Sequence, residues 1–158
     1  MIDNINLNAI EKLLNNRKII NSKLLSDSFN INCYKIETSD NNKLIVKFYK
    51  ERNNKFNAIS AEIKNLKFFE KFKINNFPKI KAFNDDYLIM TYIDNDNEKP
   101  SKINTDLLSA IIFLHSQENK SYGFGFDTQI GGLKHYNNYE INWTSFFRDK
   151  RLNYIYEL

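Results

Sequence analysis

Residues 44 to 49 have the sequence Leu44-Ile-Val-Lys-Phe-Tyr49, and a second informative segment, Ala61-Glu-Ile-Lys-Asn-Leu66, follows it. The first pattern predicts a β-strand, in which alternate side chains share a face, so Lys47 lies on the same face as Ile45. The second predicts a helix with Glu62 at the border of its apolar side. An ammonium on an apolar face needs an anionic partner. Glu62 is the candidate within the chain, and a phosphate group is the candidate outside it.

Hydrophobic periodicity predicts the remaining elements of an α+β chain. The predicted helices cover residues 4–16, 54–72, 105–116 and 141–158, and the predicted strands cover residues 18–26, 31–38, 44–49, 79–83 and 87–93. Polar residues 94–101 interrupt this pattern, which predicts a boundary between a first domain, residues 1–94, and a second, residues 95–158. Residues 121–138, which include four glycines, are predicted to form a loop.

The composition predicts a globular protein without a nucleic-acid or membrane partner. Hydrophobic residues make up 42% of the 158 residues, enough for a buried core. The net charge of +4 is scattered along the chain, which indicates a solvated lysine surface. Cys33 is the single cysteine, no signal-peptide pattern is present, and the longest apolar run, residues 110–114, is too short to span a bilayer. These features favour a cytoplasmic protein.

The spacing of Lys47 and Glu62 fits a functional arrangement as well as an ordinary one. They lie 15 positions apart, which accommodates a strand, a connection and the first half of a helix. In the functional arrangement the carboxylate orients the ammonium, which then meets nucleotide phosphates as a point charge. In the ordinary one, Lys47 is a surface lysine on an edge strand and Glu62 an unremarkable helix glutamate.

The order of elements favours the functional arrangement. Three strands, a long helix, two further strands and a polar segment follow one another as in a kinase small lobe. The segment Tyr87-Leu-Ile-Met-Thr-Tyr-Ile-Asp94 would then be the fifth strand and the hinge that receives adenine. The Thr91 carbonyl and the Ile93 amide would supply the hydrogen bonds, and Met90 would back an apolar slot. Alternatively, this segment is a buried strand and nothing more.

Further motifs occur in order along the chain. They are Ala110-Ile-Ile-Phe-Leu-His115, Phe124-Gly-Phe-Asp127 with Ile130-Gly131, and Asn142-Trp143 with Phe146-Phe147 and Arg151-Leu152. Together with Val46-Lys47 and Ala61-Glu62, they make the chain resemble the fructosamine (ketosamine) kinase family, which is related to the aminoglycoside and choline phosphotransferases. The resemblance extends over nearly the whole chain, and the part from Phe124 to Arg151 favours ketosamine kinases within this group.

The resemblance implies a protein-kinase-like small lobe, made of a five-stranded antiparallel sheet plus one long helix, followed by the first helices of an incomplete helical large lobe. It implies ATP as the nucleotide and Mg²⁺ as its metal ion, with Lys47 on the phosphates and Glu62 holding Lys47. The residues that it places around adenine are Ile45, Met90, Thr91, Tyr92 and Ile93. The implied acceptor is a sugar hydroxyl on a glycated amine. Its phosphorylation is implied to be a step of protein deglycation.

The chain departs from the family pattern in two places. The strand-turn-strand that would cover the phosphates, Ser26-Asp-Ser-Phe-Asn30, contains no glycine, although such loops use glycine to bring backbone amides close to phosphate. Ser28 and Asn30 could donate side-chain hydrogen bonds instead, whereas Asp27 would repel a phosphate. The Gln-x-Asn that the family tends to place before its tryptophan is replaced by His135-Tyr136-Asn137.

The catalytic loop of the family has no counterpart in this sequence. In the family, an aspartate that orients the acceptor hydroxyl and a second that holds magnesium follow the Trp…Arg-Leu helix, about where this sequence stops at Leu158. Neither His115 nor His135 begins a His-Gly-Asp loop; we expect the first to be a packed helix-end residue and the second a loop residue. The chain is therefore expected to lack turnover by itself, and three explanations stay open: a truncated gene product, a fragment of a split protein whose candidate partner is a companion C-lobe chain, or an arbitrary boundary of the sequence.

Two other functions stay open from the sequence. One is a non-catalytic, kinase-derived module that binds a nucleotide or a partner, the partner meeting the apolar face around Trp143, Phe146 and Phe147. The other is a fragment of an aminoglycoside- or choline-type phosphotransferase.

Overall fold

The computed structural model of this chain describes residues 2–50, 56–72, 77–94 and 105–157. The chain divides into two compact units, Met1–Asp94 and Asn95–Leu158. Of the segment predicted to form a boundary, residues 94–101, only Asp94 lies among the described residues, so the boundary stays a prediction. None of the helices in the described part of the chain has the length and apolar content needed to cross a membrane.

The first unit is built around one antiparallel sheet. Its elements are α1 (Asn4–Leu13), β1 (Ile19–Ser28), β2 (Ile31–Thr38), β3 (Lys43–Tyr49), α2 (Ala58–Glu70), β4 (Ile80–Phe83) and β5 (Tyr87–Thr91). The strand order is β1-β2-β3-β5-β4, with every neighbouring pair antiparallel. The predicted five-stranded antiparallel sheet with a long helix is thereby confirmed, and the predicted helix ends are a few residues too generous.

The central strand β3 is covered on both faces. Because successive side chains of a strand point to opposite faces, Leu44, Val46 and Phe48 lie on one face, together with buried residues of α1. Ile45 and Tyr49 lie on the other face, in a cluster with Ile59 and Ile63 of α2. Each face therefore holds its own hydrophobic cluster and its own helix, as the alternating pattern of residues 44–49 predicts.

The described part of the second unit, residues 105–157, contains helices and one hairpin. Its elements are α3 (Thr105–His115), β6 (Thr128–Ile130), β7 (Leu133–His135), α4 (Trp143–Phe147), a π-helical segment (Arg148–Leu152) and α5 (Asn153–Tyr156). The prediction of a plain loop over residues 121–138 is wrong, because β6 and β7 pair antiparallel through a turn at Gly131 and Gly132. Both glycines have positive φ, 53° and 81°, a conformation that glycine adopts at little cost.

The last helical segment begins two residues later than predicted. The side chain of Asn142 accepts a hydrogen bond from the Ser145 amide at 3.2 Å and so caps α4. From Trp143 the chain stays helical to Tyr156, with the π-helical segment between α4 and α5. This segment carries Arg151, whose contacts are described below.

Candidate functional site

Lys47 and Glu62 form an ion pair between β3 and α2. Lys47 Nζ lies 2.6 Å from Glu62 Oε1, and the two side chains are 25% and 20% exposed. The pair is thus withdrawn from solvent but keeps an open side. The structure brings together the two residues that the sequence predicted to meet, on the face of the sheet that α2 covers.

Cross-strand neighbours define the surroundings of Lys47. It pairs with Cys33 of β2 and with Leu88 of β5, so these three side chains share one face. Burial raises the pKa of the Cys33 thiol, partly offset by the positive charge of Lys47. Cys33 is therefore a neutral, largely apolar neighbour, which keeps Glu62 as the anion next to the ammonium.

The predicted adenine residues are assembled beside this pair. Ile45 of β3 pairs with Met90 of β5, and both are buried in the cluster that packs against α2. Tyr92 packs against the same cluster, and the ring of Tyr92 lies 4.4 Å from Lys35 Nζ. The structure thus places Ile45, Met90 and Tyr92 on the face that carries Lys47.

The backbone around Thr91 is held on two sides. The Thr91 amide donates to the Lys79 carbonyl at 2.9 Å, and the Lys79 amide donates to Thr91 Oγ1 at 2.9 Å. The Tyr92 amide donates to the Lys43 carbonyl at 3.4 Å. Ile93, predicted to offer its amide to adenine, is 52% exposed. The hinge candidate is therefore fixed at Thr91 and Tyr92 and accessible at Ile93.

A two-residue turn joins β1 to β2 at the predicted phosphate loop. Phe29 and Asn30 occupy it with φ of 51° and 61°, positive values at both central positions of a type I′ turn. Ser28 pairs with Ile31, whose side chain packs on the cluster beside α2, so Ser28 faces the same way as Lys47. The loop thus presents Ser28 on the ion-pair face without using glycine.

Asp27 does not face the candidate site, contrary to the expectation that it would repel a phosphate. It pairs with Asn32, which alternates with Cys33 and so lies on the opposite face of the sheet from Lys47. There Asp27 forms an ion pair with Lys50. A bulge in β1 between Leu24 and Ser26 sets this arrangement, because one extra residue reverses the faces of the residues after it.

Asn137 links two of the three motifs of the second unit that carry the family resemblance, the one beginning at Phe124 and the one ending at Arg151-Leu152. Its side-chain amide donates to the Phe126 carbonyl at 3.2 Å and to Thr128 Oγ1 at 2.8 Å, while its Oδ1 accepts from Arg151 Nη2 at 2.6 Å. Asn137 is only 1% exposed, yet its side chain has a partner on each side. A Cβ at Gly123 would lie 2.5 Å from the Asn137 carbonyl, so this position requires glycine.

The two histidines are placed differently from the sequence predictions. His115, predicted to be packed, is exposed at the end of α3. His135, predicted to be a loop residue, belongs to β7, where burial and the nearby Arg151 lower its pKa and favour the neutral ring. Neither lies in a group of chemically useful side chains. Among the described residues, no cluster of three or more His, Cys, Asp or Glu side chains could hold a metal ion.

Sequence reasoning missed two residues with a structural part in these sites. Tyr49 shares a face of β3 with Lys47, and its hydroxyl accepts hydrogen bonds from the first amides of α2, which no periodicity reveals. The sequence marks Asn137 only as part of His135-Tyr136-Asn137, and its side-chain hydrogen bonds reach residues 9 to 14 positions away, which spacing does not reveal.

Known proteins similar to this chain are kinases of one family. The model of the family described as "Fructosamine kinase" matches residues 3–158. A curated relative from Staphylococcus aureus, named "Probable ketoamine kinase", is 32% identical over 129 residues, which are 77% of this chain and 42% of the relative.

Solved structures agree at the level of the fold. A "putative fructosamine-3-kinase" from Haemophilus somnus has a TM-score of 0.76 at 21% identity, over 94% of this chain and 51% of that one. A protein of the same description from Thermobifida fusca has a TM-score of 0.68 at 21% identity, over 95% of this chain and 52% of that one. The fold is therefore kinase-like. The chain belongs to the fructosamine kinase family, and it spans about half the length of the relatives it matches.

Proposed function

We propose that the first unit binds ATP through Lys47, and that the chain provides the nucleotide-binding part of a ketosamine kinase. The observation that carries this proposal is the 2.6 Å contact between Lys47 Nζ and Glu62 Oε1 on a half-open face of the sheet. When a carboxylate binds one N–H group of an ammonium, the other N–H groups of the ammonium point outward and can donate hydrogen bonds to phosphate oxygens. Membership of a kinase family supports a phosphate as that acceptor.

The other residues have roles that follow from their positions. Ile45 and Met90 would line an apolar slot for adenine, with the Thr91 carbonyl and the Ile93 amide at its edge. Tyr92 would close the slot beside Lys35, whose ammonium lies over its ring. The hydroxyl of Ser28 and the side-chain amide of Asn30, at the β1–β2 turn, would donate hydrogen bonds to the phosphates.

For the whole protein we propose the reaction implied by the family: transfer of the ATP γ-phosphoryl group to a sugar hydroxyl of a glycated amine. The described residues do not fit the Mg²⁺ ion expected for this chemistry, because they hold no suitable cluster of carboxylates. The sequence also has no His-Gly-Asp motif to orient an acceptor hydroxyl. The proposal for these 158 residues is therefore nucleotide binding without turnover.

Titration calorimetry of the 158-residue protein with ATP tests the proposal. Lys47→Met should weaken binding at least tenfold, because it removes the charge that meets the phosphates (about 1.4 kcal/mol per factor of ten). Lys64→Met is the matched control, because it removes the same charge from an exposed lysine of α2. This substitution should change the ATP affinity less than twofold. Absence of ATP binding, or equal affinities of the two variants, would contradict the proposal.

A second candidate function is partner binding through α3. Five apolar side chains of this helix are 40–59% exposed: Leu107, Leu108, Ile111, Ile112 and Phe113. Patches of this kind mark interaction surfaces. Since the chain spans about half the length of its relatives, we propose that the part of a ketosamine kinase outside the match, the remaining C-lobe, covers this face.

Co-expression tests the partner proposal. The 158-residue chain and the part of the Staphylococcus aureus relative outside the match should purify as a complex, and Ile112→Glu should abolish it. Ser109→Glu, at an exposed position of the same helix, should not. Phosphorylation of a glycated amine by the complex would support a split kinase, and a stable complex that stays inactive would support a non-catalytic module. Failure to form a complex, or a complex insensitive to Ile112→Glu, would contradict this docking surface.

A further inference from the structure

A tyrosine hydroxyl binds the beginning of α2 to β3, one helical turn away from the ion pair. Tyr49 Oη accepts hydrogen bonds from the Ala58 amide at 2.6 Å and the Ile59 amide at 3.4 Å. Its own proton is directed to Asn57 Oδ1 at 3.4 Å. Tyr49 is only 8% exposed, so little water competes for these amides. A strand side chain thus satisfies donors that helices otherwise leave unpaired at their N-termini.

The two contacts between β3 and α2 have matching separations. Lys47 and Tyr49 are two positions apart on one face of the strand, which is about 6.6–6.8 Å. Ala58 and Glu62 are four positions apart on one face of the helix, which is about 6 Å. A helix held at Ala58 by Tyr49 therefore presents Glu62 opposite Lys47 without further adjustment.

The remaining contacts of α2 do not fix this alignment equally well. Ile59 and Ile63 pack in the hydrophobic cluster, and apolar packing has no directional requirement, so it tolerates a small rotation of the helix. Asn57 Nδ2 donates to the Asp85 carbonyl at 2.7 Å, which ties the helix end to the β4–β5 turn and not to β3. Two directional contacts among the described residues join α2 to the strand of Lys47: the ion pair itself and the hydrogen bonds of the Tyr49 hydroxyl.

We propose that Tyr49 is a positioning residue of the nucleotide site. Its hydroxyl holds α2 at the rotation and height at which Glu62 orients the Lys47 ammonium. Loss of the hydroxyl frees the Ala58 amide, lets the first turn of α2 move, and weakens the alignment of the ion pair. The predicted effect on ATP affinity rests on the proposed function, whereas the predicted effect on the ion pair does not.

The first test follows the ion pair directly, without nucleotide. NMR spectra should show a change in the Glu62 carboxyl carbon and the Lys47 side-chain signals in Tyr49→Phe. The matched control is Tyr87→Phe, which also removes one tyrosine hydroxyl bond, from Tyr87 Oη to Asn6 Oδ1 at 2.5 Å, in the cluster on the α1 side of the sheet. Unchanged Glu62 and Lys47 signals in Tyr49→Phe, or equal changes in both variants, would overturn the proposal.

The second test is a double-mutant cycle on ATP affinity. Tyr49→Phe should weaken binding about three- to tenfold in the wild-type chain, the size of one hydrogen bond, and less than twofold in a Glu62→Gln background, because Tyr49 acts through Glu62. Tyr87→Phe should leave affinity unchanged in both. Equal losses in the two backgrounds, or none in the wild type, would show that Tyr49 has no positioning role. If the wild-type chain does not bind ATP, the proposed function fails and the NMR comparison alone decides on Tyr49.

Discussion

The two faces of the five-stranded sheet are built from alternate residues of the same strands but differ in chemistry. Toward α1, the side chains that β2 and β3 bury carry no charge; among them Ile36, Val46 and Thr38 are fully buried. Toward α2, the corresponding positions include Cys33, Lys35 and Lys47 beside Ile45. One face is closed by hydrophobic packing, whereas the other keeps a partly exposed ion pair within its apolar surroundings.

This difference indicates which face stabilises the fold and which is available for binding. Apolar burial contributes free energy in proportion to area, so the apolar side chains that β2 and β3 bury toward α1 stabilise the fold. A partly buried ion pair gives little net stability after desolvation, so its presence on the α2 face is better explained by a ligand than by folding. Substitutions of buried residues on the α1 face should therefore mainly lower the free energy of unfolding, whereas substitutions of the ion pair on the α2 face should mainly weaken the proposed ATP binding.

The largest effect on stability is expected from Ile36→Ala. Ile36 is fully buried on the α1 face, and truncation to alanine leaves a cavity that should lower the free energy of unfolding by about 2–5 kcal/mol. Urea denaturation measures this. Ile20→Ala is the control, since Ile20 is 63% exposed on β1 and should cost less than about 1 kcal/mol. A loss below about 1 kcal/mol for Ile36→Ala would remove the basis for the contrast between the faces.

An intermediate effect is expected on the α2 face. Lys47→Met leaves the Glu62 carboxylate, whose side chain is 20% exposed, without its partner, and should lower the free energy of unfolding by about 1–2 kcal/mol. The double variant Lys47→Met/Glu62→Leu replaces the pair with apolar groups and should be within about 1 kcal/mol of the wild type. Denaturation curves of the three proteins give both values. If the double variant is less stable than the single variant, the ion pair contributes to the stability of the fold, which would contradict this prediction.

The sequence predicts the ion pair but not its geometry. Lys47 and Glu62 could be matched because period-two and helical spacing each place one charge on an apolar side. The hydrogen bonds of the Tyr49 hydroxyl could not be predicted, because the hydroxyl contacts α2 only when the strand and the helix are packed together. The orientation of Asp27 was mispredicted because the bulge after Leu24 shifts the register, and nothing in the residues of β1 marks it.

The sheet of the first unit could be predicted and the hairpin of the second could not, for a reason of length. β1 to β3 have 7 to 10 residues each, enough for alternation to be recognised. β6 and β7 have three residues each, too few to show a period. Gly131-Gly132 was the available signal, since two adjacent glycines, here flanked by Ile130 and Leu133, are typical of a two-residue hairpin turn.

A smaller effect, confined to acid pH, is expected from Glu11, the charged residue buried on the α1 side. Glu11 accepts hydrogen bonds from Lys18 Nζ at 2.7 Å and from the Ile19 amide at 2.9 Å, and these lower its pKa below the ordinary 4.5. A carboxyl with a lower pKa in the folded state stabilises the fold above its unfolded pKa. That contribution is lost as the pH falls through the folded value.

Glu11→Gln should therefore make the decline of stability below about pH 4.5 shallower than in the wild type. Urea midpoints measured from pH 7 to pH 2.5 show this as converging curves. Lys18→Met is the matched comparison, because it removes the first cause of the lowered pKa and keeps the Ile19 hydrogen bond; its curve should lie between the other two. Parallel curves for the wild type and Glu11→Gln would show that this carboxyl does not contribute.

The smallest effect is expected at the β1–β2 turn, where the α2 face ends. Phe29 has φ of 51° and is 63% exposed, so the chain holds a bulky residue in the left-handed region with little packing to offset the cost. Phe29→Asn should raise the free energy of unfolding by about 0.5–1 kcal/mol, because asparagine tolerates this conformation. Phe29→Ala removes the ring but keeps the strain and should be nearly neutral. If both substitutions destabilise the protein equally, the ring of Phe29 contributes packing that outweighs the backbone strain, which would contradict this prediction.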